Sequence, residues 1–226
     1  MAERVTFSTS DGVTIVGDWM AAPTTVGAVI LLHAMSVNRR SWAPLQPILA
    51  KRGLASLSID LRGHGESVQG PEESRIDFKS FGEGEHQSSL YDVIAAYEWL
   101  LRRGIDADHV TVGGASIGAN LAVQMLGEEP RLRGGFLLSP GRNYHGLNSV
   151  SDAGAILSHQ SVWIAASEGD DQEAFESSKE TYDALFSERK MFLPLKNAGH
   201  GTNMFTSKPE LMDRVADFLK EATQTV

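Results

Sequence analysis

The sequence contains no cysteine. That single absence excludes disulfides, thiolate metal sites and a cysteine nucleophile together, so any covalent chemistry must use another side chain. No apolar run is long enough to span a bilayer: the longest, "VGAVILLHAM" (26–35), falls far short of the roughly 20 residues a spanning helix needs. The opening "MAERVTFSTSDG" has no apolar signal-peptide core. Runs of lysine and arginine are also missing, and the net charge is −9. Such a surface repels phosphate backbones, so neither nucleic acid nor a membrane is expected as partner. There is no fixed-period repeat, low-complexity tract or Pro/Gly/Ser linker. The 226 residues, 42% of them apolar and 22% charged, predict one soluble domain covering 1–226, with the cytoplasm as its default location.

What is present alternates. Short stretches rich in Val, Ile and Leu are followed by longer ones of helical period, the pattern of β-α units around a mostly parallel sheet. The opening "RVTFSTSDGVTIVGDW" departs from it, with two period-2 runs about a "DG" turn signal, and predicts an antiparallel hairpin at one edge. Further strands are expected at 27–34, 54–61, 109–116, 134–140, 161–167 and 190–196, and helices near 41–52, 88–104, 117–129, 172–187 and 208–223. The expectation is an α/β fold of about eight strands and six helices, helices on both faces. Residues 63–87, polar and glycine-rich, read as a long ordered loop whose Phe78 and Phe81 are candidates to fold over a site.

Residues 114–118 read "GASIG". A G-x-S-x-G match alone is weak, since chance supplies it in about one chain in ten of this size. Context strengthens it: strand 109–116 enters the motif and helix 117–129 leaves it, so Ser116 lies at a strand-to-helix turn that the two glycines allow to be sharp. The helix also aims its amino end at the serine, favouring developing negative charge. A serine hydroxyl needs a histidine base, and the histidine needs a carboxylate to hold its tautomer. Of seven histidines, His200, in the small-residue loop "NAGHGTN", is the one that follows a late strand. His86, His109, His145 and His159 receive no catalytic role on sequence. "SVWIAASEGDDQEA" offers Glu168, Asp170 and Asp171 as acids, although acidic residues before a helix are often only its caps. The backbone N–H groups of Ile117 and Met35 are the candidate oxyanion donors. His33, just before, is read as a structural hydrogen-bonding residue and candidate pocket neighbour rather than a second base.

These stretches together resemble the α/β-hydrolase superfamily, and within it the small serine esterases without a large cap domain. "LLHAMSVNRRSW" (31–42) is similar to the family's histidine-glycine oxyanion loop, with Ala34 where many members have glycine. "SIDLRGHGES" (58–67) is similar to its Asp-x-Arg-Gly-His-Gly-x-Ser segment, "GGASIG" to its nucleophile elbow and "NAGHG" to its histidine loop. The family's acid follows a strand in a Gly-x-x-Asp pattern; "SEGD" (167–170) matches it except for Ser167, and this points to Asp170. Asp60 and Arg62 are read as loop braces. Compact members that use a cysteine or aspartate nucleophile are excluded by Ser116.

The resemblance implies cleavage of carboxylic esters through an acyl-enzyme: Ser116 attacks, His200 is base then acid, Asp170 orients it, and no metal or organic cofactor is implied; the lack of a long apolar lid segment in this acidic chain points to small esters with short acyl groups. Tyr144, His145, Leu147, Met204 and Phe205 are candidate pocket residues. Thioester, amide or peptide cleavage would use the same residues. A non-catalytic binding protein on this fold is the alternative from another class.

Overall fold

The computed structural model describes residues 2–224. One eight-stranded sheet runs through them in the order β1-β2-β4-β3-β5-β6-β7-β8. The strands are β1 (Glu3–Ser8), β2 (Thr14–Met20), β3 (Gly27–Leu32), β4 (Leu54–Ile59), β5 (Val110–Ala115), β6 (Gly134–Leu138), β7 (Ser161–Glu168) and β8 (Lys190–Lys196). β2 is antiparallel to both neighbours, giving the edge hairpin, and every pair from β4 to β8 is parallel. β3 to β6 are buried along their whole length. That is why they read as continuous apolar runs: a strand covered on both faces gains nothing from a polar side.

Among the described residues the α-helices are α1 (Gln46–Lys51), α2 (Glu83–Gln87), α3 (Leu90–Arg102), α4 (Ile117–Glu128), α5 (Ser149–Ala153), α6 (Gln172–Ala184), α7 (Asn203–Ser207) and α8 (Glu210–Gln224). The core divides into two layers. One joins α3, α4 and α6 to the sheet through Val93, Tyr97, Leu121 and Ile164; the other seats α1 and α8 around Trp42, Phe136, Trp163 and Leu219. α2, α5 and α7 have five residues each, too few to show a helical period in sequence. The first two fold parts of the loops 63–87 and 141–160 back onto the body.

Chain order reverses between β3 and β5, which lie side by side while β4 and β6 lie to their outer flanks. Open α/β sheets form their crevice at the carboxyl ends of strands at such a switch point. The loop after β3 and the turn after β5 meet there. The segment "DLRGHGES" supports this rim from the β4 side. Asp60, fully buried, accepts from the Arg39 and Glu66 amides (both 2.8 Å) and from the Arg39 guanidinium (2.5 Å). A Cβ on Gly65 would stand 2.1 Å from its carboxylate. Arg62 pairs with Asp11 and with buried Asp92. Both residues hold loops to the body.

Candidate active site

Ser116 stands between β5 and α4 with φ 56° and ψ −124°, a conformation that costs a non-glycine residue on the order of 1–3 kcal/mol and persists only where surroundings enforce it. The surroundings are visible. A Cβ on Gly114 would stand 2.0 Å from the Gly118 carbonyl oxygen, and one on Gly118 would stand 2.4 Å from that of Leu32. The two glycines therefore let the turn close on itself and let α4 press against the end of β3. That contact brings the start of the loop after β3, at Leu32 and His33, against the first turn of α4, whose leading Ile117 N–H has no acceptor within the helix.

His200 arrives from the other flank. Gly201, at φ +57°, packs its Cα side against Ala115, where a Cβ would lie 3.2 Å from the alanine methyl. The His200 Nδ1 is 2.8 Å from Asp171 Oδ2. A carboxylate only accepts, so Nδ1 carries a proton, and in the neutral imidazole Nε2 is then the acceptor. Ser139, fully buried at the end of β6, completes the arrangement: its hydroxyl donates to the same Asp171 oxygen (2.8 Å) and accepts from the Gly201 N–H (3.1 Å). One carboxylate thus fixes both the imidazole and the backbone that carries it. Ser139 had no signal in the sequence beyond a serine at a strand end.

The expectation that Asp170 is the carboxylate on His200 is corrected here. Asp170 is exposed and turned to the histidine loop's backbone, accepting from the Ser167 hydroxyl (2.5 Å) and the Gly199 N–H (2.8 Å). The Ser167 hydrogen bond chiefly holds its pKa below the usual value. The reason for the shift of one residue is geometric. β7 continues through Glu168, and Gly169 then takes φ +95°, so the turn faces Asp170 outward and Asp171 inward. Asp171 stands at the amino end of α6 yet makes no side-chain cap there; its carboxylate is spent on His200 and Ser139.

Other candidate residues separate into two groups. Tyr144 comes to the site: its phenol lies within polar reach of the Ser116 side chain, and burial raises its pKa. His145 packs tilted against His86 of the 63–87 loop, ring centres 4.2 Å apart, and Leu147 is buried. Phe78 lies flat on His64 (3.9 Å) and Phe81 edge-on to His86 (5.5 Å), so the two phenylalanines pack within the loop region. The remaining pocket assignments fail. His33 is fully buried, with Nε2 accepting from the Leu61 N–H (3.0 Å) and Nδ1 bonded to the Ala34 carbonyl (2.7 Å), and burial pulls its pKa down to about 3. It is a neutral brace. Met204 and Phe205 are core residues in the Trp42 layer. α7 turns them inward, which its short length hid from the sequence. His109 lines a cavity of about 760 Å³ at the amino ends of β3, β5 and β6, the opposite end of the sheet from Ser116.

A model of the alpha/beta hydrolase fold family matches residues 27–203. The chain belongs to that family. No curated protein sequence matches the chain. Its fold is similar to that of the Pyrococcus furiosus esterase Pf2001, with TM-score 0.78 and 21% identity over 98% of this chain and 92% of that one. It is also similar to the alpha/beta hydrolase GrgF from Penicillium sp. sh18, with TM-score 0.82 and 16% identity over the whole of both chains. The esterase domain of a Rhodothermus marinus protein matches at TM-score 0.72 and 13% identity, over 98% of each. At these identities the likeness speaks for the fold. Among the described residues of this hydrolase-fold chain no helix is long and apolar enough to cross a membrane, and no group of three or more His, Asp or Glu side chains is arranged to hold a metal.

Proposed function

We propose that this hydrolase-fold protein cleaves small carboxylic esters through an acyl-enzyme. The observation that carries the reading is the strained Ser116 turn, with the loop of His200 packed through Gly201 on the preceding Ala115 and the His200 Nδ1 tied to Asp171. His200 Nε2, left as an acceptor, takes the Ser116 proton as Oγ attacks the ester carbon. The negative charge moves to the carbonyl oxygen, where the Met35 and Ile117 N–H groups receive it. The bond to the alcohol oxygen then breaks, and that oxygen leaves with the proton from His200. Water, deprotonated by His200, attacks the acyl carbon and returns Ser116 to its free form. Asp171 stays ionised throughout and stabilises the imidazolium. The esterases among the structures of similar fold agree with this reading.

The test is a panel of 4-nitrophenyl esters from acetyl to dodecanoyl, with matched thioesters and anilides. Ester turnover should exceed the others, peak at acetyl to hexanoyl, and fall by several orders of magnitude in a folded Ser116→Ala protein. A fluorophosphonate should label wild type and not the variant. Full turnover by Ser116→Ala would remove the serine from the mechanism; a preference for thioesters or anilides would move the substrate class.

A further inference from the structure

We propose that Tyr144 is a catalytic residue, its phenol donating a hydrogen bond to the alcohol oxygen that leaves as Ser116 is acylated. The proposal rests on the ester-hydrolase reading and adds to it a group acting on the departing half of the substrate.

The segment carrying Tyr144 is held by its surroundings. Tyr144 and Leu147 exchange backbone hydrogen bonds (3.0 and 3.1 Å) across His145 and Gly146, both at positive φ. Asn120, one turn after Ser116 in α4 and fully buried, fixes this turn from below. Its Nδ2 donates to the Gly141 and Leu147 carbonyls (2.7 and 2.8 Å), and its Oδ1 accepts from the Gly141 N–H (3.0 Å). The phenol end of the Tyr144 ring then packs on Gly141, where a Cβ would come 2.3 Å from Cζ. A residue of the nucleophile's own helix therefore fixes the turn that carries the phenol.

Sheet order decides which part of the substrate the phenol meets. The candidate oxyanion amides come from the loop after β3 and from the turn after β5. Tyr144 follows β6, which flanks β5 on the opposite side from β3. His200 and Asp171 come from beyond β6 too, and the charges of Asp171 and Glu173 act on the phenol. With the carbonyl oxygen drawn toward β3, the group leaving toward His200 is the one beside Tyr144. In the step itself the carbon–oxygen bond breaks, its electron pair goes to the alcohol oxygen, and the transferred proton comes from His200. The phenol shares its hydrogen without losing it. Burial, which holds the phenol pKa above the ordinary value, keeps that hydrogen in place at neutral pH.

The experiment compares Tyr144→Phe with wild type on acetate esters of 4-nitrophenol, phenol and ethanol, reading kcat/KM so that acylation is followed. Phenylalanine retains the ring against Gly141. The variant should lose less than about 3-fold on the nitrophenyl ester, whose leaving oxygen needs no donor, and about 30-fold or more on the ethyl ester. Unchanged ethyl-ester turnover, or equal losses on all three, would overturn the proposal, since a merely structural role does not sort substrates by leaving group. If the variant does not fold, 3,5-difluorotyrosine at position 144 keeps ring and hydroxyl; a more acidic donor should flatten the wild-type dependence on leaving-group pKa, and an unchanged dependence overturns it. A wild-type protein that cleaves no ester and takes no fluorophosphonate fails at the earlier reading instead.

Discussion

Asp170 and Asp171 are adjacent and chemically identical, and hydrogen bonds alone separate their roles. Asp171 holds the imidazole that the proposed mechanism turns from neutral to charged, and Asp170 holds an amide that never changes charge. Asp171→Asn should therefore lower kcat by about 10³–10⁴-fold, since an amide can leave the imidazole in the wrong tautomer. Asp170→Asn should retain kcat within about 10-fold, because its hydrogen bonds go to the Ser167 hydroxyl and the Gly199 N–H and not to the imidazole. Steady-state kinetics beside urea unfolding of both variants checks this; a crippled Asp170→Asn with a healthy Asp171→Asn would reverse the assignment. At this scale the sequence was legible up to one residue. Three acids in four positions narrowed the choice, but the register hung on one backbone angle at Gly169, and a φ of +95° leaves no trace in composition.

Elements were easier to read where their causes are local. The turn at Ser116 was visible because a strand, two glycines and a helix follow one another within the motif. The structure adds the reason each glycine is needed: Gly114 faces Gly118, and Gly118 faces Leu32 and His33. Gly118→Ala forces α4 away from the end of β3, because the obstacle is backbone rather than a flexible side chain. Overpacking of this kind costs about 1–3 kcal/mol. Separating Ile117 from the Met35 loop should also slow acylation by about 10-fold or more, the order expected when a preorganised donor is misplaced. Denaturation and fluorophosphonate labelling rates measured on the same preparation check both parts; wild-type behaviour in both would show that α4 does not set the gap. By contrast, the turn 141–147 was not legible. Its shape depends on Asn120, 21 and 27 residues away from the carbonyls it binds, and no local pattern announces such a contact.

Across the whole molecule the sheet was readable because doubly covered strands must be apolar, whereas the polar groups that settle between layers were not. Three histidines are among them. His33, His64 and His86 are each under 5% exposed, and burial lowers the pKa of all three, His33 to about 3. An unfolded histidine takes its proton near pH 6.5. Below that pH the unfolded chain binds protons these three refuse, so stability falls as pH drops from 6.5 toward their folded values. Each contributes a slope of up to about 1.4 kcal/mol per pH unit in that window. Asp92 opposes them: burial raises its carboxyl to about 6 despite Arg62, so the folded chain gains a proton there first. Even with one slope cancelled, urea unfolding should show a net loss of stability between pH 6.5 and 5.5. His33→Gln isolates the largest contributor. Its amide can accept from Leu61 and donate to Ala34 as the imidazole does, but it does not titrate. The variant should lose about one histidine's share of the slope while keeping most of the stability at pH 7.5. A wild-type stability that is flat or rises as pH falls from 6.5 to 5.5 would mean the three imidazoles accept protons in place, and that the layer around His33 yields to charge.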